Sequence, residues 1–136
     1  FTLREAARHM RERAGKGDRG GSLVGVASLA AIEGVARNQH YAATKGAVVS
    51  MIRAIAVEFA RDGVRANAIL PGWIATDMTA SAQGSPKFVE NVISRVPARR
   101  WGEPADFGGI AVYLASDASA YHSGDTLIVD GGYAVF

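Results

Sequence analysis

The segment Ser22-Leu23-Val24-Gly25-Val26-Ala27 constrains the fold of this chain more than any other. It reads as a short strand apolar on both faces, and such strands occur where a parallel sheet is covered by helices on either side. Residues 64–70, closed by Pro71-Gly72, and residues 126–129, followed by Asp130-Gly131-Gly132, supply two further strands. The stretches between them carry helical spacing. Leu3, Ala6, Ala7 and Met10 recur at i, i+3, i+4 and i+7 with Arg4, Arg8 and Arg11 opposite, so the chain opens in an amphipathic helix ending near Ala14-Gly15. Residues 41–61 form the longest periodic segment, where Ala47, Val48, Met51, Ile52, Ile55, Ala56, Val57, Phe59 and Ala60 cover far more than one stripe. A helix apolar nearly all round must be buried on several sides. One sheet face cannot do that alone, so part of this helix is expected to meet a second subunit. Residues 73–102 read as irregular apart from a short helix over residues 87–95, and so long an irregular stretch in a compact domain is usually a lid or binding loop. Glu103-Pro104 opens a last helix running to about Ala115. Strands alternating with helices predict an α/β fold with a parallel sheet.

Composition narrows the function classes. With 136 residues and an apolar share of 49%, one domain with a real core is expected, since a chain of this size buries about two thirds of its surface. There is no cysteine, which excludes a disulfide framework, a thiolate metal site and a thiol nucleophile. Lys and Arg number 15 against 13 Asp and Glu, a net charge of +2. Much of the basic excess sits in residues 1–20, where basic side chains at 4, 8, 11, 13, 16 and 19 face acids at 5, 12 and 18, the pattern of a solvated helix face rather than of a nucleic-acid surface. No apolar run approaches a bilayer span, and no basic segment precedes a short apolar one. A cytoplasmic protein with no nucleic-acid and no membrane partner is expected. His9, His40 and His122 are scattered without ligand spacing or paired carboxylates, so no metal site is expected. Asp130 reads as a turn residue.

Ser28, Tyr41 and Lys45 form the sharpest constellation. Tyr41 and Lys45 lie four apart at the start of a helix and so share one face, while Ser28 stands at a strand end thirteen residues upstream. In open α/β sheets ligands bind beyond the carboxyl ends of the strands, where Ser28 sits and where Pro71-Gly72 also emerges. A phenol, with an ordinary pKa of about 10, does acid/base work near neutrality only with a cation beside it, and the ammonium of Lys45 is such a cation. Taken singly, each of these residues is equally compatible with a half-buried Tyr and a snorkelling Lys.

Gly21-Ser22-Leu23-Val24-Gly25-Val26-Ala27-Ser28, Tyr41-Ala42-Ala43-Thr44-Lys45, Arg65-Ala66-Asn67-Ala68-Ile69-Leu70-Pro71-Gly72-Trp73-Ile74-Ala75-Thr76, and Ser123-Gly124 with Val129-Asp130-Gly131-Gly132 together resemble, in order and spacing, the short-chain dehydrogenase/reductases. The resemblance covers essentially all 136 residues. It implies a Rossmann-like doubly wound parallel sheet, of which residues 1–136 are the C-terminal part of a single domain, with about three strands and their flanking helices. It also implies an NAD(P)-dependent oxidoreductase that interconverts a small-molecule carbonyl and a secondary alcohol by hydride transfer. In that family the Tyr matching Tyr41 exchanges a proton with the substrate oxygen. The Lys matching Lys45 makes the phenol a stronger acid and hydrogen-bonds the nicotinamide ribose, and the Ser matching Ser28 orients the carbonyl. The same resemblance puts Tyr41, Lys45, Pro71, Gly72, Ile74 and Thr76 at the cofactor, Ile74 through its backbone and Thr76 through its hydroxyl, with Trp73 and Met78 bordering the substrate. It implies NAD or NADP and a homodimer or homotetramer. Hydride arriving at a carbonyl carbon builds negative charge on the oxygen, and donors already placed there stabilise the transition state more than the ground state.

Two departures stand out. No G-x-G-x-x-G or equivalent glycine turn, the element that sets a cofactor pyrophosphate on a helix N-terminus, precedes Ser28. About 100 residues of a ~250-residue domain are therefore expected upstream of Phe1, and the first strand is expected to present a bare edge that invites association. Gly25 stands where an Asn is usual in the family. The alternative to the enzyme is a noncatalytic binding or assembly module, or an inactive fragment, on the same scaffold. Thr76-Asp77-Met78-Thr79 is similar to the matching stretch of 3-oxoacyl-carrier-protein reductases, and Asp130-Gly131-Gly132-Tyr133 to that of sugar and alcohol dehydrogenases, which leaves the substrate open. An enoyl reductase would carry its Lys farther from the Tyr, and a halohydrin lyase an Arg in place of Lys45; neither pattern stands here.

Overall fold

The computed structural model describes residues 2–18 and 20–136; expectations for Phe1 and for the basic position 19 lie outside the described residues. In chain order the elements are α1 (Thr2–Ala14), β1 (Gly21–Val26), α2 (Gln39–Glu58), β2 (Val64–Pro71), α3 (Ala80–Gln83), α4 (Pro86–Arg95), α5 (Gly108–Ala115) and β3 (Thr126–Val129). The strands form one parallel sheet in the order β1-β2-β3, with Gly21 opposite Val64 and Ala68 opposite Thr126. One edge of β1 is unpaired among the described residues.

Strand alternation assigns the helices to two faces. Along β1, Gly21 meets Met10 of α1 and Gly25 meets Val48 and Ile52 of α2, while Leu23 between them is buried in the same core. Residues one step out of phase face the other way, and there Ser22 Oγ donates to Leu114 O of α5 at 2.6 Å. The same division runs along β2. Val64, Ala66, Ala68 and Leu70 join the core with Ala7 of α1 and Val49, Ile52, Ile55 and Ala56 of α2, whereas Arg65 donates to Leu114 O and Ser116 O at the end of α5. Helices therefore cover both faces of a parallel sheet, the Rossmann-like doubly wound arrangement.

Gly25 has a packing reason. A Cβ there would lie 2.9 Å from Ile52 Cγ1 and 3.0 Å from Val48 Cγ1, so α2 rests on β1 closely enough to exclude a side chain. Gly25→Asn is expected to cost the full-length protein about 1–3 kcal/mol through overpacking, read as a lowered denaturant midpoint. Parental stability in that variant would mean that the helix does not press on the strand there.

Some element bounds differ from the sequence expectations for local reasons. α2 starts at Gln39 rather than Tyr41, because Gln39 and His40 are exposed and polar and add nothing to an apolar period. The last helix begins as a 3-10 turn over Pro104–Phe107, and the one-turn α3 precedes α4 in the long loop. The outward stripe of α2, comprising Ala43, Ala47, Ser50, Ala54 and Val57, is exposed. The basic face of α1 is solvated as expected and largely paired: Arg8 with Glu5, Arg11 with Glu58 and Asp62, Arg13 with Asp18. Exposed pairs of this kind stabilise by at most about 1 kcal/mol each.

Candidate active site

The three strands point the same way, so their carboxyl ends bring Ser28, Pro71-Gly72 and Asp130 to one edge of the sheet. Ala27 N–H donates to Ile69 O at 2.8 Å, extending the β1–β2 ladder until the chain turns at Ser28. Ser28 is extended (φ −170°, ψ 159°) and caps the 3-10 turn Leu29–Ala31, its Oγ accepting from Ala30 N–H at 3.2 Å. Its own hydroxyl proton has no acceptor among the described residues.

Tyr41 lies in the first turn of α2 and Lys45 one turn later, both half-buried. Lys45 Nζ donates to Val26 O at 3.1 Å and stands 5.6 Å from the centre of the Tyr41 ring. The ammonium thus ties the start of α2 to the carboxyl end of β1, two residues before Ser28. No carboxylate pairs with Lys45 among the described residues, so its charge is not neutralised locally.

After β2 the chain crosses β3. Pro71 pairs with Val129, and Gly72 N–H donates to Val129 O at 3.0 Å. A Cβ on Gly72 would sit 2.6 Å from Asp130 Cβ and 2.7 Å from its Cα, contacts that no rotamer change relieves. Asp130 is a turn residue, as read from the sequence: its carboxylate accepts from Gly132 N–H at 2.8 Å and Ala134 N–H at 2.7 Å. Ile74 forms a parallel bridge with Gly102 through the flanking peptides, Gly102 N–H donating to Trp73 O and Ala75 N–H to Gly102 O. The peptide groups of Ile74 itself face the other side, where its C=O accepts from Thr79 Oγ1 at 2.7 Å. Thr76 is exposed, and its N–H donates to the same Thr79 Oγ1 at 3.1 Å. Thr79, with Gln83 Nε2 donating to it at 3.0 Å, braces the segment, a role that one position in a loop gives no sequence signal for.

Beyond Gly102 the loop is pinned by a bidentate pair, Arg100 donating to both oxygens of Asp106 at 2.7 and 2.8 Å. Arg100, and after it the N–H of Glu103, draw the Asp106 carboxyl down to about 2. Because the folded value is depressed, the pair contributes above the ordinary carboxylate range and its contribution is lost as pH falls towards 2. An NMR titration of Asp106 is expected to show that low midpoint, and Arg100→Met to return it towards the ordinary range. An unchanged midpoint in the variant would exclude Arg100 as the cause. A cleft of about 260 Å³ beside this pair reaches Ile74, Gly102 and Asp130; Ser28, Tyr41 and Lys45 lie outside it.

Two further features escaped the sequence. Trp73 packs edge-to-face on Phe88 at 5.2 Å and on Trp101 at 6.0 Å, joining three distant aromatics around the loop. His122, expected to lack a carboxylate, pairs through Nε2 with Asp125 at 2.8 Å and shares a 3.0 Å hydrogen bond between Nδ1 and Tyr113 Oη. This corrects the sequence reading: position i+3 lies in a tight turn, which sequence spacing alone did not disclose. His122 first, then Thr126 N–H, hold the Asp125 carboxyl below its ordinary range. Among the described residues no group of three His, Cys, Asp or Glu comes together, and no helix is long and apolar enough to cross a membrane.

A family model described as Enoyl-(Acyl carrier protein) reductase matches residues 1–134. The chain is 42% identical over 135 residues to L-rhamnose 1-dehydrogenase (NAD(P)(+)) of Azotobacter vinelandii, covering 99% of this chain and 51% of that protein. It is 41% identical over 128 residues to 2-dehydro-3-deoxy-D-gluconate 5-dehydrogenase of Bacillus subtilis, covering 94% and 48%. Among solved structures, the gluconate 5-dehydrogenase of Burkholderia cenocepacia in complex with NADP and tartrate superposes with a TM-score of 0.89 at 34% identity, covering 96% of this chain and 49% of that one. The chain thus spans about half the length of the curated relatives it matches. With the family match running nearly end to end and the same fold in a solved relative, the chain belongs to the short-chain dehydrogenase/reductase family.

Proposed function

We propose that the full-length protein is an NAD(P)-dependent oxidoreductase interconverting a carbonyl and a secondary alcohol on a sugar, sugar acid or polyol, and that this chain supplies its acid/base residues and the nicotinamide end of its cofactor site. The observation that carries the reading is Lys45, an ammonium without a carboxylate partner among the described residues, held by Val26 O beside the Tyr41 ring.

The residues present fit the nicotinamide ribose. Lys45 offers donors for ribose hydroxyls, and the N–H of Ile74 faces away from its bridge to Gly102. When bound, the nicotinamide supplies hydride to the carbonyl carbon. Ser28, whose Oγ already accepts from Ala30 N–H, points its own proton at the substrate oxygen and fixes its direction. Tyr41 gives that oxygen a proton as negative charge builds there, and takes it back in the oxidative direction. Lys45 keeps positive charge near the phenol oxygen while the proton is away.

Carbonyl rather than enoyl reduction is supported by the one-turn spacing of Tyr41 and Lys45 and by the sugar dehydrogenases among the relatives. Exposed Arg37, Asn38, Gln39 and His40 just before Tyr41 suit a polyhydroxylated substrate. The test is a panel of aldoses, aldonic acids, ketoses and polyols with each nicotinamide, followed by reduced-nicotinamide absorbance; turnover with at least one sugar or sugar acid is expected, and silence across the panel would reject the reading.

Self-association through the outward stripe of α2 completes the proposal, as a homodimer or homotetramer. Val57, 81% exposed, would then be an interface residue. Val57→Glu, which would bury an unpaired charge, is expected to weaken association about 100-fold or more by sedimentation velocity. A parent that sediments as a monomer would remove this part of the reading.

A further inference from the structure

α4, the last helix of residues 73–102, touches the one-turn α3, packs Phe88 on Trp73 and buries Val92, and its C-terminal turn has a further attachment. At its C-terminal end Arg95 reaches the chain terminus. Arg95 Nη1 donates to Tyr133 Oη at 2.8 Å, and its guanidinium carbon lies 4.3 Å from the centre of the Tyr133 ring. Tyr133 is itself anchored, packing against the main core inside the turn that the Asp130 carboxylate closes through Gly132 and Ala134 N–H. The chain leaving α4 continues the attachment: Val96 is buried, and Ala98 N–H donates to Gly131 O at 3.1 Å. Asp130 also abuts Gly72 on its other side. One terminal turn thus touches the loop after β2 and, through Arg95, the end of α4.

We propose that Arg95 and Tyr133 form a latch fixing α4 over the substrate side of the site, so that they act as positioning residues for substrate while taking no part in the chemistry. The substrate half of this proposal rests on the oxidoreductase reading; the latch itself does not. Planarity matters here, because the guanidinium stacks on the ring and donates to the hydroxyl together. A lysine keeps the charge and loses that fork.

The experiment uses the full-length protein and its Arg95→Met, Arg95→Lys and Tyr133→Phe variants. The exposed position of Arg95 lets its variants fold. Amide exchange in residues 88–94 is expected to accelerate roughly three- to tenfold in Arg95→Met, nearly as much in Arg95→Lys, and less in Tyr133→Phe, which keeps the ring face. KM for the carbonyl substrate rises by a matching factor in the same order, with kcat and the nicotinamide Kd within about twofold of the parent. Parental exchange in Arg95→Met overturns the latch. Faster exchange with unchanged KM overturns its role in positioning substrate. A parent with no turnover on any carbonyl rejects the oxidoreductase reading and with it the substrate role, while the exchange result still decides whether the latch exists.

Discussion

Replacing Tyr41 with Phe in the full-length protein is expected to lower kcat/KM for carbonyl reduction by about 10²- to 10⁴-fold, the usual worth of a positioned general acid. The substitution is selective. No hydrogen bond of the Tyr41 hydroxyl supports the fold among the described residues, and the ring that faces Lys45 Nζ at 5.6 Å is retained. Folding is therefore spared while the proton is lost. Binding of the nicotinamide changes far less than turnover, since Lys45 and the backbone from Pro71 to Ile74 are untouched. Lys45→Met should lower turnover and weaken nicotinamide binding together, because one ammonium serves both the phenol and the ribose in the proposed mechanism. Steady-state kinetics with a fluorescence titration of reduced nicotinamide separates the two patterns, and unchanged turnover in Tyr41→Phe would remove Tyr41 from the chemistry.

The largest expected stability loss comes from Asn67, in the middle of β2. Its side chain is fully buried and satisfies two backbone groups of the loop before β3: Nδ2 donates to His122 O at 2.8 Å, and Oδ1 accepts from Asp125 N–H at 3.0 Å. Asn67→Leu strands both groups, each at about 1–3 kcal/mol, so a total loss of about 2–6 kcal/mol is expected. A lower denaturant midpoint at unchanged slope is the readout. Asn67→Asp keeps the acceptor for Asp125 N–H but sets a carboxylate against His122 O, and is expected to be no better. A loss under about 1 kcal/mol in both variants would mean that water replaces the amide.

The sheet was legible in the sequence because parallel strands under helices leave short, mainly apolar segments closed by turn residues: residues 22–27 run into Ser28, 64–70 into Pro71-Gly72 and 126–129 into Asp130. Ser28, Tyr41 and Lys45 were legible as types at a spacing. What spacing does not carry is the third partner: the hydrogen bond from Lys45 to Val26 O is made across nineteen residues and depends on α2 lying flat on β1, which Gly25 permits. The long loop was hardest to read. Its order comes from pairs such as Trp73 with Trp101 and Arg95 with Tyr133, whose partners have no local periodicity. His122 differs, since its bond to Asp125 is made within one tight turn, and only its bond to Tyr113 reaches back to α5.

The wholly parallel ladder also governs how the chain reaches its native state. Roughly forty residues separate Gly21 from Val64, and nearly sixty separate Ala68 from Thr126, so neither strand pair can zip from a hairpin. Each waits for a wide loop to close before any ladder bond compensates the lost chain entropy. Substitutions that loosen the seat of α2 on β1 therefore retard refolding as well as lowering the equilibrium, and unpaired strands stay exposed to neighbouring chains for longer.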